Sequence, residues 1–213
     1  MPHIIACLSQ KGGVGKSTLA RLIAWGFAEA GWQTKIADFN TRQKTSVDWV
    51  LTRRANGLVP EVDADEFTTI KPMLKDKADM IVADGRPDSD QTSLEIARVA
   101  DLVIIPTGTT IDDIKPQLLF ANELRQKGVP MSKMVFMINK TTESQLATDE
   151  ARGSIEGLGY EVLKTDLSAK TGYQMAQNQG KSVAETLYPS LNQRAFQLLN
   201  EIATRMETVK ETA

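Results

Sequence analysis

Short, nearly unbroken apolar runs alternate along this chain with longer stretches in which apolar residues recur every three or four positions. The runs at 4–8, 34–37, 80–83, 102–105, 134–138 and 161–163 predict strands. Continuous apolar character, in place of strict alternation, is how a strand buried on both faces of a parallel sheet reads. Helices are predicted near 17–30, 45–55, 92–100, 114–126 and 144–158. Gly31, Gly128 and Gly159 fall where three of these helices need a left-handed residue to stop. Ile111, Ile114, Leu118, Ala121 and Leu124 share one helical face, and Leu191, Ala195, Leu198, Ile202 and Met206 repeat that pattern further on.

Strand–helix alternation of this kind implies right-handed crossovers and an α/β fold, a doubly wound, mainly parallel sheet flanked by helices. Residues 59–67 are acidic and fit neither period. No internal repeat, low-complexity segment or linker interrupts the alternation, so residues 1–213 read as one domain.

Composition narrows the chemistry. Apolar residues at 41% and charged residues at 24% exclude long disorder. Lys plus Arg at 25 against Asp plus Glu at 27 gives a net charge of −2, so any nucleic-acid contact must come from a local basic patch. The single cysteine, Cys7, forms no intrachain disulfide and lies within a predicted strand, which suits a reducing compartment. The single histidine, His3, leaves His/Cys zinc clusters and Ser-His triads without material. The longest apolar runs fall well short of the ~20 residues of a membrane span, and the N-terminus lacks a signal-peptide layout. A cytoplasmic protein is expected.

The sharpest chemical signal is Gln10-Lys11-Gly12-Gly13-Val14-Gly15-Lys16-Ser17-Thr18, between the first predicted strand and the first helix. Glycines in that context let backbone N–H groups close around phosphate oxygens at a helix N-terminus, which is the physics of a P-loop NTPase. Lys16 is placed to reach the β- and γ-phosphates of ATP, and the Ser17 hydroxyl to help hold Mg²⁺. Asp38 and Asp84 end two apolar strands, at the carboxyl edge where open α/β sheets bind ligands, and would orient Mg²⁺ and its waters. Asn139 ends another strand and offers both a donor and an acceptor to a purine edge. The phosphate-loop pattern usually has a glycine where Gln10 stands.

With Lys11 before the glycines, the run from Gln10 to Thr18 resembles the deviant Walker A motif of the ParA/MinD ATPases, closest to the small ParA-type partition proteins. Further segments resemble that family in order and spacing: Ile36-Ala37-Asp38-Phe39-Asn40 its second motif, Val82-Ala83-Asp84-Gly85-Arg86-Pro87 its Walker B and switch, and 100–106 the strand that follows. Ile138-Asn139-Lys140 resembles the base-contacting motif, and 180–185 the C-terminal region. The resemblance implies an ATPase in which Lys11 reaches across a homodimer to the partner's nucleotide, with two ATP molecules sandwiched between protomers. It further implies a switch that dimerises on ATP, binds nonspecific DNA at the nucleoid, and is released when a cargo-bound activator protein stimulates hydrolysis. The cargo would be plasmid or chromosomal DNA, or a protein assembly.

Two departures from the family pattern stand out. Asn40 occupies the place of the aspartate that, by the resemblance, helps position the attacking water; an amide orients water but accepts no proton, so slow hydrolysis is expected. No proline follows it, and Arg42 and Lys44 enter the loop instead. Candidates for the DNA-binding patch are Lys164, Lys170, Lys181, Arg194 and Arg205.

Rival functions fit less well. A MinD-like membrane-positioning ATPase would want an amphipathic tail, but residues 201–213 mix acidic with basic residues and lack an aromatic anchor. A nitrogenase-reductase-like electron carrier needs cluster cysteines that Cys7 alone cannot supply. A metabolic P-loop kinase would need an acceptor-substrate site, and none is evident. No helix-turn-helix precedes the first strand, which argues against operator binding.

Overall fold

The computed structural model describes residues 2–87, 91–142 and 144–211. Among these, an eight-stranded sheet is built from β1 (His3–Ser9), β2 (Thr34–Asp38), β3 (Asp63–Glu66), β4 (Met80–Pro87), β5 (Leu102–Thr107), β6 (Met134–Thr141), β7 (Glu161–Val162) and β8 (Leu167–Ser168). The spatial order is β3-β2-β4-β1-β5-β6-β7, with β8 paired to β6, and every pairing is parallel. The helices are α1 (Lys16–Glu29), α2 (Thr45–Ala55), α3 (Ile70–Met73), α4 (Gln91–Val99), α5 (Ile111–Gln126), α6 (Gln145–Glu156), α7 (Thr171–Asn178) and α8 (Pro189–Glu211).

Successive side chains of a strand point to opposite faces, and this chain fills both. Ile5 and Cys7 of β1 join a core with Leu19, Ile23, Trp49, Leu198 and Ile202, from α1, α2 and α8. Ile4, Ala6 and Leu8 of the same strand join a second core with Ile96, Phe120, Leu124 and Ile155, from α4, α5 and α6. The strands read as unbroken apolar runs because each residue meets a helical layer on one side or the other. Gly31, Gly128 and Gly159 have φ of 89°, 91° and 82°, the left-handed stops that their positions demanded.

Three features depart from the sequence pattern, for physical reasons. The acidic stretch contains β3, an edge strand whose side chains are mostly exposed, so it carries no apolar signature. The short elements α3, α7 and β8 hold four, eight and two residues, too few to establish a period. Ile111 does not join the buried face of α5: it opens the helix and is 77% exposed, while Ile114, Ala121 and Leu124 are buried. A polar residue, Gln117, fills the intervening place on that face and is fully buried.

Candidate nucleotide-binding site

The order of the strands decides where the site lies. β4 pairs with both β1 and β2, so three strand ends meet beside the loop that leaves β1. In that loop Gly13 and Gly15 take φ of 78° and 102°, which L side chains rarely adopt. A Cβ on Gly15 would also lie 2.0 Å from Asn139 Nδ2, so glycine is required there twice over. Lys16 opens α1 and is 7% exposed, with Nζ donating to Lys11 O at 3.2 Å. The side chain therefore folds back over the loop, the posture that places an ammonium beside phosphate oxygens.

The loop is fastened from below. Ser9 Oγ donates to Lys11 O at 2.7 Å, and accepts from Lys11 N at 3.1 Å and from Gln117 Nε2 at 2.8 Å. Gln117 Oε1 in turn accepts from Gln10 N at 3.2 Å. One buried amide on α5 thus fixes the start of the phosphate loop.

Asp38 and Asp84 are register partners on β2 and β4, and both are fully buried. Burial pushes the Asp84 carboxyl up to about 6, opposed by a hydrogen bond from Ser46 and assisted by the nearby Asp38 charge. Burial also raises Asp38, against backbone bonds that lower it. Those bonds come from Asn40 N to Oδ1 at 2.9 Å and from Ser46 N to Oδ2 at 3.0 Å. Ser46 Oγ donates to Asp84 Oδ2 at 2.6 Å. Asp84 Oδ1 has no hydrogen-bond partner among the described residues.

That orphaned, fully buried carboxylate oxygen fits a site that orients a hydrated cation. Ser17 Oγ, bonded to Thr45 Oγ1 at 3.3 Å, supplies the hydroxyl at the start of α1. No group of three or more His, Cys, Asp or Glu side chains gathers among the described residues. Mg²⁺ is suited to such sparse protein ligation, since it keeps several waters and takes further oxygens from nucleotide phosphates.

Lys11 lies apart from this cradle. Its side chain is 38% exposed, and Nζ meets Asp113 Oδ1 at 2.6 Å and Asp112 O at 3.2 Å. The Lys11 charge and a hydrogen bond from Thr110 hold the Asp113 carboxyl below its ordinary value despite partial burial. Asn40 stands in the loop after β2 with Nδ2 donating to Gln43 Oε1 at 3.0 Å. Lys44, the residue before α2, has φ of 47° and pairs with Glu66 at 2.8 Å.

On the other side of the loop, a cavity of about 310 Å³ is lined by Thr18, Asn139, Lys140, Ser168, Tyr173 and Gln177. Asn139 is 6% exposed and donates to Val14 O at 2.8 Å, so its amide braces the phosphate loop at the cavity wall. The basic candidates are dispersed. Arg194 pairs with Asp166, and Arg205 pairs with Glu161 at 2.7 Å while donating to Ser132 O. Lys164 and Lys170 are exposed and Lys181 is half-buried.

Sequence patterns did not point to Ser46, Gln117, Arg21 or Asp113. Arg21 on α1 donates to Gln177 Oε1 at 2.9 Å and to Thr45 O, and lies 3.4 Å from Ser46 Oγ. Gln117 left one trace, as a polar residue on the apolar face of a predicted helix. Ser46 left another, as the second of two hydroxyl residues at a helix start.

This fold and loop define a P-loop nucleotide-binding domain with a second lysine ahead of its glycines. The chain belongs to the CobQ/CobB/MinD/ParA nucleotide binding domain family, whose model matches residues 5–183. It is 26% identical over 206 residues to the maintenance of carboxysome distribution protein A of Halothiobacillus neapolitanus, covering 93% of this chain and 95% of that one. A plasmid partition protein of Borrelia burgdorferi B31 bound to AMPPNP superposes with a TM-score of 0.74 at 17% identity, covering 96% of this chain and 100% of the other. The septum site-determining protein MinD of Pyrococcus horikoshii OT3, complexed with Mg-ADP, gives a TM-score of 0.71 at 17% identity, over 95% and 96% of the two chains.

Proposed function

We propose that this protein is an ATPase switch that dimerises around two ATP molecules, binds nonspecific DNA as the dimer, and positions or segregates a cargo. The observation that carries this reading is the division of labour between two lysines. Lys16 is buried in its own cradle, whereas Lys11 faces outward and is held by Asp113 on α5. A cation so placed serves a nucleotide presented by a second copy, and neutralises phosphate charge only once that copy arrives.

In this reading Gly12, Gly13, Val14, Gly15, Lys16, Ser17 and Thr18 bind the triphosphate, and Asn139 borders the base cavity. Asp38, Asp84 and Ser17 hold Mg²⁺ with its waters, and the metal offsets phosphate charge when bound. Ser46 keeps both carboxylates in place, and Asn40 stands nearest the role of orienting water. The carboxysome and plasmid names of the relatives support a positioning role, with an activator carried by the cargo. The apolar residues of α8, including Leu198, Ile202, Met206 and Val209, are buried in the core. That occupancy favours DNA over a membrane as the surface, with Lys164, Lys170 and Lys181 as the contacts and nucleoid association as the consequence.

The test is a mobility shift with random-sequence duplex DNA, against flotation with anionic liposomes, under ATP and under ADP. ATP-dependent DNA retention that falls steeply with salt supports the reading. Liposome binding without a DNA shift overturns the DNA part of it and favours the membrane-positioning alternative.

A further inference from the structure

The loop between β2 and α2 carries a polar pair that neither the phosphate cradle nor the carboxylates use. Asn40 Nδ2 donates to Gln43 Oε1 at 3.0 Å. The backbone fixes this pair, since Gln43 N and Lys44 N both donate to Asn40 O, at 3.0 and 2.9 Å. Asn40 N is itself bonded to Asp38 Oδ1 at 2.9 Å, so the pair is one bond from a buried carboxylate of the site. Asn40, Gln43, Arg42, Arg86 and Pro87 line a cavity of about 310 Å³. It abuts the phosphate loop, because a Cβ placed on Gly12 would lie 3.8 Å from Pro87 Cβ.

A carboxamide offers an acceptor oxygen and two N–H donors. The single bond between these two amides leaves Asn40 Oδ1 as an acceptor and Gln43 Nε2 as a donor, with no hydrogen bond to either among the described residues. Rotating both amides by half a turn leaves the same inventory, mirrored. An acceptor and a donor side by side fix two of the four tetrahedral directions of one water molecule.

We infer that Gln43 is a positioning residue for ATP hydrolysis, holding the attacking water together with Asn40 beside the γ-phosphate. This rests on the ATPase reading given above. In the step, the water oxygen bonds to the γ-phosphorus while the bond from that phosphorus to the bridging oxygen breaks. The electron pair of the broken bond leaves with ADP, and the water proton passes to an oxygen of the released phosphate. Neither amide takes the proton. In a loose phosphoryl transition state much of the catalysis is positioning, so two amides can hold the water without supplying a base.

The experiment is single-turnover hydrolysis by the full-length protein in excess over γ-labelled ATP, with Mg²⁺ and random-sequence duplex DNA. Affinity for a fluorescent ATP analogue is measured in parallel. Gln43→Ala is expected to slow hydrolysis about 10- to 100-fold with affinity changed less than twofold. Gln43→Glu is expected to hydrolyse as slowly as Gln43→Ala, because the isosteric carboxylate keeps the bond from Asn40 but offers the water no donor. In an Asn40→Asp background, loss of Gln43 should cost less than in wild type, since the new carboxylate holds the water alone. A merely structural Gln43 would shift affinity or melting temperature, tolerate the isosteric Gln43→Glu change at the wild-type rate, and show no coupling to residue 40. Equal rates for wild type and Gln43→Ala overturn the inference, as does wild-type protein that binds ATP without turnover above the ATP blank. Failure of the wild type to bind ATP at all sinks the ATPase reading instead.

Discussion

Ser46 Oγ donates to Asp84 Oδ2 at 2.6 Å, while the backbone N–H of the same serine donates to Asp38 Oδ2 at 3.0 Å. The first turn of α2 therefore bonds both carboxylates, Asp38 at the end of β2 and Asp84 within β4, and it does so from a fully buried residue. Ser46→Ala keeps the backbone bond to Asp38 and removes the hydroxyl that donates to Asp84 Oδ2. Losing a hydrogen bond to a charged group costs about 1.5–3 kcal/mol. A lowered melting temperature and a weaker Mg²⁺-dependent step in nucleotide binding are expected, checked by thermal melts and by titration with and without Mg²⁺.

The pH dependence follows from Asp84. Its carboxyl is raised to about 6 by burial, so between about pH 4 and 6 the folded chain binds a proton that the unfolded chain has released. Stability from this group is then full below the unfolded value near 4 and declines as pH rises towards 6. Mg²⁺ favours the ionised form, so Mg²⁺-nucleotide affinity should move the other way and strengthen from pH 5 to 7. Calorimetric titrations across that range check both signs, and Asp84→Asn should flatten both profiles.

Lys16→Ala removes the cation folded over the phosphate loop, and nucleotide affinity should fall about 100-fold or more, some 3 kcal/mol. Gly15→Ala should damage the same loop by another route, since the new Cβ meets Asn139 Nδ2 at 2.0 Å with φ at 102°. Unchanged ATP affinity for Lys16→Ala in calorimetry would sink the phosphate-loop assignment.

On the proposed reading, Asn40→Asp restores a carboxylate close to the γ-phosphate. General-base contributions are typically about 10²–10⁴-fold, so a clear rise in single-turnover rate is expected, larger with DNA and activator present. Equal rates would shift water positioning away from residue 40.

How much of this was legible in the sequence depends on which elements announce themselves locally. β1, β4, β5 and β6 did, because burial on both faces forces continuous apolar runs. The phosphate loop did, because its glycines answer a backbone demand at fixed spacing. β3 did not, since an exposed edge strand asks little of its side chains. Ser46, Arg21 and Gln117 were hidden for a different reason. Each acts through a tertiary contact, such as the 2.8 Å bond from Gln117 to Ser9 across 108 positions, and no spacing rule encodes it. Ile111 misled because helical periodicity continues past the point where α5 still faces the sheet.

The central claim is that ATP assembles a dimer through Lys11. Its most direct test is sedimentation velocity of wild type and Lys11→Ala with ATP and with ADP. Wild type should sediment as a dimer with ATP and as a monomer with ADP, while Lys11→Ala binds ATP normally and stays monomeric. A variant that dimerises with ATP as wild type does, or a wild type that remains monomeric when saturated with ATP, would contradict the account.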